Sequence, residues 1–200
     1  GFNLWVVENI SKDNGLNTSH KVIQVARYNY VGALYEYPTK EYRGFAYSRE
    51  NLSEGIIKEH YFLQEEGNRG QEYLIKLSNK SGSLYTTIYR DWKLSFSNGL
   101  YKLELKNITE LVYDGLAINP RPRLTVFNYD QFGNIIVKQL LGDPQNLEDD
   151  TYEYFEYATN NSTWIINKVK NYTLYGSDNQ TKFRQTLYYY DNLVYGGSPT

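Results

Sequence analysis

The sequence predicts an all-β chain of antiparallel hairpins, and three observations carry that prediction. The stretch Leu124–Gln139, L-T-V-F-N-Y-D-Q-F-G-N-I-I-V-K-Q, sets strand-forming runs on either side of a tight polar reversal. Tyrosine dominates the aromatic residues, with 22 Tyr against 8 Phe and 3 Trp. No convincing long amphipathic helix pattern occurs. Tyr favours strands and half-wet surfaces, where the ring packs and the hydroxyl meets water. An ordinary compact core draws on more Leu, Ile and Val, so a chain rich in Tyr and Asn points to thin sheets with one poorly buried face.

The central reversal has a mechanism. The Asp130 side chain is suited to accept hydrogen bonds from turn amides, and Gly133, three residues on, can take the positive φ of a bulged hairpin loop. Strand alternation puts Val126, Asn128 and Asp130 on one face and Thr125, Phe127 and Tyr129 on the other. Tyr129 then stands beside Phe127 at the mouth of the turn.

The remaining elements follow in chain order. Residues 4–10, with Trp5 and Val6-Val7, read as a strand, Lys12-Asp13-Asn14-Gly15 as a turn, and His20–Tyr30 as its hairpin partner. Gly32–Thr39 reads as a loop, with Pro38 blocking ladder pairing. Residues 40–49 form a short strand around Arg43-Gly44-Phe45, Gly44 suiting a bulge. Ile56–Gln64 fits strand or helix; its Tyr-Phe pair, paired Ile and lack of a helix cap favour strand. Glu65–Gly70 is a polar loop.

Tyr73–Leu77 and Ser83–Tyr89 flank Asn79-Lys80-Ser81-Gly82, a degenerate internal repeat in which Asn79 stands for Asp130 and Gly82 for Gly133. Leu100–Lys106 alternates, with Leu103 and Leu105 inward and Lys102, Glu104 and Lys106 outward. Ile108–Tyr113 continues that strand, and Pro120-Arg121-Pro122 is a candidate divider or stiff connector. Gly142–Asp150 is a polar, acidic loop. Thr151–Tyr157, Ile165–Leu174 and Phe183–Tyr190 are strands, with a turn over Gly176–Asn179.

Composition excludes several function classes. The 21 basic and 23 acidic residues give a formal net charge of −2, against a nucleic-acid binder that works through a basic field. Zero cysteines exclude disulfides and thiolate metal sites. No stretch approaches the roughly 18 consecutive apolar residues of a membrane helix, and the first residues lack the pattern of a signal peptide. The absence of Met at position 1 suggests an engineered fragment or an excised piece of something longer.

Catalytic chemistry has little to build on, and no catalytic residue, metal ligand or cofactor site is assigned. His20 and His60 are the only imidazoles, and no nucleophile motif such as G-x-S-x-G is present. His60, beside Tyr61 and Phe62, reads as packed or surface-lying. Glu148-Asp149-Asp150 lacks the alternating spacing of a calcium loop and reads as a solvated turn. Glu153 and Glu156 fall on opposite faces of a strand, which rules out a paired-carboxylate site. The aromatic pairs Tyr152/Tyr154, Phe155/Tyr157 and Tyr188/Tyr190 suit either sugar stacking or cross-strand packing, and packing is the commoner use.

Tyr129-Asp130-x-x-Gly133-Asn134 resembles the core of the YD repeat of Rhs proteins, of the B and C components of bacterial Tc insecticidal toxins, and of teneurins. The similarity extends through T-Y-E-Y-F-E-Y-A at 151–158, N-S-T-W-I-I at 161–166 and Q-T-L-Y-Y-Y-D at 185–191. It looks most like the segment leading into the repeats in Tc B-type and SpvB-like proteins. Glu41-Tyr42-Arg43-Gly44-Phe45-Ala46-Tyr47 is similar to an E-x-R-G-F-G stretch of the same region.

The resemblance implies a strand-rich segment at 1–119, a YD-repeat-like segment at 120–200, and membership of a hollow cocoon that encloses a C-terminal effector until delivery. It makes Tyr129, Asp130, Gly133, Asn134, Tyr190 and Asp191 structural residues. The partners it implies are the rest of the parent shell, the enclosed effector and a translocation or delivery component, in a secreted or cell-surface protein. Neither nucleic acid nor membrane insertion by this segment is expected. Tyr190-Asp191 lacks the expected Gly, and Tyr113-Asp114-Gly115 is too compressed for a full repeat, as suits the edge of an array. The competing class is a free-standing β-rich module that binds glycan or protein through Trp5, Trp92 or Trp164.

Overall fold

The computed structural model describes residues 4–16, 20–113, 118–143, 146–160, 162 and 165–190. Its strands are β1 (Asn9–Asp13), β2 (Ile23–Val31), β3 (Tyr35–Glu36), β4 (Glu41–Tyr42), β5 (Tyr47–Leu52), β6 (Ile56–Phe62) and β7 (Glu72–Asn79). They continue as β8 (Leu84–Ser97), β9 (Leu100–Val112), β10 (Arg121–Tyr129), β11 (Ile135–Leu141), β12 (Thr151–Asn160), β13 (Ile165–Tyr175) and β14 (Lys182–Leu187). Among the described residues the only helical turn is a short 3₁₀ segment, Leu147–Asp149. Hydrogen-bonded neighbours run β1-β2-β5-β6-β7-β8-β9-β10-β11-β12-β13-β14, with β3-β4 as a separate pair. The fold is all-β and antiparallel, and its main sheet takes the strands in chain order. Sequence neighbours are therefore sheet neighbours, except that β2 reaches β5 through residues 32–46, which carry β3 and β4.

The chain divides into two compact units. The first comprises Gly1–Arg90, Leu94–Leu103 and Glu110–Arg121; the second comprises Asp91–Lys93, Glu104–Thr109 and Pro122–Thr200. Each has a thin core. In the first, Ile57 and Ile75 are the buried apolar side chains among the described residues, beside buried Asn68, Ser78 and Thr87. In the second, Ala158 is joined by buried Asp150 and Thr173.

At roughly 1.5–3 kcal/mol per fully buried aliphatic side chain, so few residues cannot carry the fold alone. Half-buried aromatic pairs in ladder register supply part of the remainder. Tyr47 opposes Tyr61 with ring centroids 5.1 Å apart, and Phe155 opposes Tyr172 at 5.3 Å. Such pairs contribute about 0.5–1.5 kcal/mol beyond the area they bury.

Several sequence expectations are corrected. Residues 4–8 are not strand: β1 begins at Asn9 and runs through Asp13, where a turn was expected. Strand-forming side chains need a ladder partner as well as propensity, and the β1–β2 register ends at Asn9 opposite Arg27. The expected loop at 32–39 contains β3, which pairs with β4, because Pro38 sits in the reversal outside the two bonded positions. Arg43–Ala46 lies between β4 and β5 without regular structure. Glu104 is not outward, since its side chain is only 15% exposed and reaches toward Lys93 at 3.9 Å. Unanticipated from the sequence is the reversal at Asn98-Gly99, whose φ values of 52° and 78° fit the two-residue turn that joins twisted strands.

Candidate functional site

The motif residues Tyr129, Asp130, Gly133 and Asn134 converge on the loop joining β10 to β11. Asp130 Oδ1 accepts from the amides of Phe132 at 2.8 Å and Asn134 at 2.9 Å. The Asp130 carbonyl accepts from the Gly133 amide at 3.2 Å, and the Asp130 amide donates to the Asn134 carbonyl at 2.9 Å. Gly133 closes the loop at φ 87°. In the ladder Asn128 faces Val137 and Tyr129 faces Ile135, so the extra residue, Ile136, falls on β11. The alternation of β10 is undisturbed, and Tyr129 stays on the face of Phe127.

The first unit carries the same device 51 positions earlier. Asn79 Oδ1 accepts from the amides of Ser81 at 3.0 Å and Ser83 at 2.9 Å, and Gly82 has φ 86°. Ser78 faces Leu84 across an equivalent register shift. Asn79 thus occupies the geometric place of Asp130, because only one acceptor oxygen is needed to hold both loop amides.

Longer-range bonds tie the motif to its neighbours. Asn134 Nδ2 donates to Asp130 Oδ2 at 2.9 Å and to the Ile166 carbonyl on β13 at 2.8 Å. Three tyrosine hydroxyls reach back to a main-chain carbonyl: Tyr129 to Leu105 at 2.9 Å, Tyr157 to Ile135 at 2.8 Å and Tyr190 to Val169 at 2.6 Å. Each of these tyrosines lies on or just beyond an even-numbered strand and bonds the strand before it. Tyr157 was not singled out as a motif residue, because Ala158 follows it where the other two have Asp.

The electrostatics of this corner follow from the same contacts. Burial pushes the Asp130 carboxyl up, but bonds from the Asn134 side chain and from the Asn134, Phe132 and Gly133 amides outweigh it and leave the pKa below the usual value of 3.8. A lowered folded pKa contributes stability that is present above the ordinary Asp pKa and is lost as pH falls through the folded value. Asp130→Ala should therefore cost about 1 kcal/mol at neutral pH and flatten the acid limb of a pH-dependent melting series below pH 3.8. An unchanged acid limb would contradict this role.

Burial raises the Tyr157 hydroxyl, with the Asp130 charge adding to the effect; burial also raises Tyr129, with the Glu104 charge adding. A raised folded pKa contributes stability that is complete below the ordinary Tyr value of 10.0 and is lost as pH climbs through the folded value. Tyr157→Phe should lower stability by about 1 kcal/mol at neutral pH and reduce the loss above pH 10, read by the same melting series.

The other candidates have defined places. Tyr190 lies just past β14, while Asp191 falls outside the described residues. Trp5 is 95% exposed, Trp92 is half-buried on β8, and Trp164 lies outside the described residues. His60 sets Nδ1 against the Glu72 carboxylate, whose other oxygen meets Arg90, and its ring stacks at 6.2 Å on Phe62. The imidazole thus belongs to a polar side-chain row across β6, β7 and β8, in which Glu72 pairs with Arg90. Asp150 is not a solvated turn residue, since it is buried and accepts from the Gly142 amide at 3.0 Å. Among the described residues no group of three or more His, Cys, Asp or Glu is placed to hold a metal ion, and no helix is long and apolar enough to cross a membrane.

No protein-family model matches the sequence, and no curated protein matches it. Solved structures do. The chain is similar to TcdB2-TccC3 crystallised without its hypervariable C-terminal region, with a TM-score of 0.61 and 12% identity over 78% of this chain and 12% of that one. TcdB2-TccC3 itself matches with a TM-score of 0.58, 12% identity, and coverage of 78% of this chain and 13% of that one. The Tc holotoxin pore of Photorhabdus luminescens matches with a TM-score of 0.61, 11% identity, and coverage of 78% and 12%. At this identity the likeness establishes a shared fold, that of a Tc toxin segment. The chain spans about one eighth of the length of the chains it matches.

Proposed function

We propose that this chain is a wall segment of a YD-repeat shell whose parent protein encloses an effector until delivery. The observation that carries the reading is the match of most of this chain to a short stretch of much longer Tc toxin chains. The architecture supports it physically. Strands laid down in chain order satisfy their main-chain groups against the next strand, as repeat architectures do, and the thin cores leave much aromatic surface half-wet. Tyr129, Asp130, Gly133, Asn134, Tyr190 and Asp191 serve structure in this reading, and the segment is not an enzyme. Its partners are the rest of the shell, the effector and a delivery component, and the parent is secreted or displayed at a cell surface.

Limited proteolysis of the full-length parent tests the enclosure. The region C-terminal to the shell should resist a protease that digests the same region expressed alone. Equal digestion rates in the two settings would remove the enclosure from the proposal.

A further inference from the structure

One face of the second unit carries a groove of neutral polar side chains that the hairpin motif does not use. It lies over β12, β13 and β14 beside the reversal at residues 176–181. Its volume, about 640 Å³, falls within the roughly 300–1,000 Å³ of small-molecule sites. The ladder register places its strand residues on a single face. Tyr154 opposes Thr173 and Glu156 opposes Asn171, while Gln185 opposes Thr173 from the other side. Tyr175, two residues beyond Thr173, shares that face with its partner Lys182. Arg184, opposite Leu174, points to the other face.

The hydrogen bonds fix which atoms meet the groove. Lys182 Nζ donates to Gln185 Oε1 at 3.0 Å, and Gln185 Nε2 donates onward to Asn171 Oδ1 at 3.1 Å. An ammonium group can only donate, so this chain orients both amides. Asn171 Nδ2 is left with no hydrogen-bond partner among the described residues. Across the ladder from it, the Glu156 carboxylate is reached among them only by Lys170, at 3.8 Å. Tyr154 and Tyr175 stand perpendicular with centroids 5.5 Å apart, and Asn179 Nδ2 donates to the Tyr154 hydroxyl at 2.9 Å. Asp178 Oδ1 accepts from the amides of Gln180 at 2.9 Å and Thr181 at 2.8 Å, which holds the reversal that presents Asn179 and Gln180.

We propose that this groove binds a neutral saccharide, one pyranose packing its C–H face on the tyrosines while neighbouring hydroxyls meet Asn171 and Glu156. A hydroxyl both donates and accepts, so a single sugar oxygen can accept from Asn171 Nδ2 while giving its proton to the Glu156 carboxylate. An anion would be repelled by Glu156 and a cation by Lys182, and these two charges cancel within the groove. The tyrosines supply an apolar surface with a polar tip, as a ring that is apolar on its faces and hydroxylated at its rim requires. A peptide backbone, by contrast, pairs along a sheet edge, and this groove lies on a sheet face. The inference rests on the groove's own chemistry and is independent of the shell reading.

The test is a nuclear magnetic resonance titration of the ¹⁵N-labelled 200-residue chain, read at the side-chain amides of Asn171 and Gln185. The probes are maltotriose, mannotriose, lactose and N-acetylated chitotriose. Deacetylated chitotriose, trigalacturonic acid and acetyl-trialanine-amide serve as cationic, anionic and peptide comparisons. At least one neutral sugar should shift both amides saturably, bind more tightly than every comparison and keep its affinity in high salt. Asn171→Leu, read at Gln185, and Glu156→Gln should each weaken it about three- to tenfold, the worth of one hydrogen bond. Arg184→Gln, on the opposite face, should leave it unchanged. Matching melting curves would establish that the variants fold; if Asn171→Leu unfolds, Glu156→Gln, whose side chain is 56% exposed, decides alone. No saturable shift from any neutral sugar, tighter binding of any comparison, indifference to Glu156→Gln, or an equal loss in Arg184→Gln would each overturn the proposal.

Discussion

Gly133→Val is expected to destabilise the β10–β11 hairpin by roughly 2–3 kcal/mol, the larger part of which is backbone strain. Gly133 sits at φ 87°, and an added Cβ meets no atom within 4 Å. Crowding is therefore not the cause of the loss. A β-branched residue is a poor occupant of positive φ, whereas Asn tolerates it far better. Gly133→Asn should accordingly retain most of the stability that Gly133→Val loses. Chemical denaturation of the three proteins checks the order, and equal losses for Val and Asn would show that the backbone is not the source.

Gly67→Ala should be at least as costly, at about 3 kcal/mol, for two reasons acting together. Gly67 has φ 85°, and its missing Cβ faces Tyr101 at 2.6 Å and Leu94 at 3.0 Å. The substitution strains the backbone and also drives a methyl group into an aromatic ring. Gly133→Ala bears only the first cost, so the difference between the two alanine variants measures the packing. Tyr101→Ala made in the Gly67→Ala background should recover part of the loss. No recovery would place the whole effect in the backbone.

How much of this was legible depended on the range of the interactions. The Asp130 loop could be read because its bonds are local, reaching residues two and four positions ahead. For the same reason Asn79 could be matched to it by eye. The Asn98-Gly99 reversal is local in the same way, since an Asn-Gly pair between alternating runs is a strong hairpin signal. The contacts that fasten the hairpin to its surroundings were not legible. Tyr129 to Leu105 spans 24 positions and Asn134 to Ile166 spans 32. Those pairs exist only once strand order and register are fixed.

Alternation likewise identified the strand holding Glu104 without revealing its burial, because a face counts as outward only when nothing lies over it. Leu4–Glu8 shows the complementary failure. Its residues favour a strand, but strand structure is made by the neighbour that completes the ladder.

Electron cryomicroscopy of the full-length parent protein tests the central claim most directly. The account predicts a hollow shell in which β1–β14 lie in the wall, their main-sheet strands continued at the edges by strands from the rest of the polypeptide, with density for the effector inside. A solid particle in which these strands form a separate, free-standing domain would contradict it.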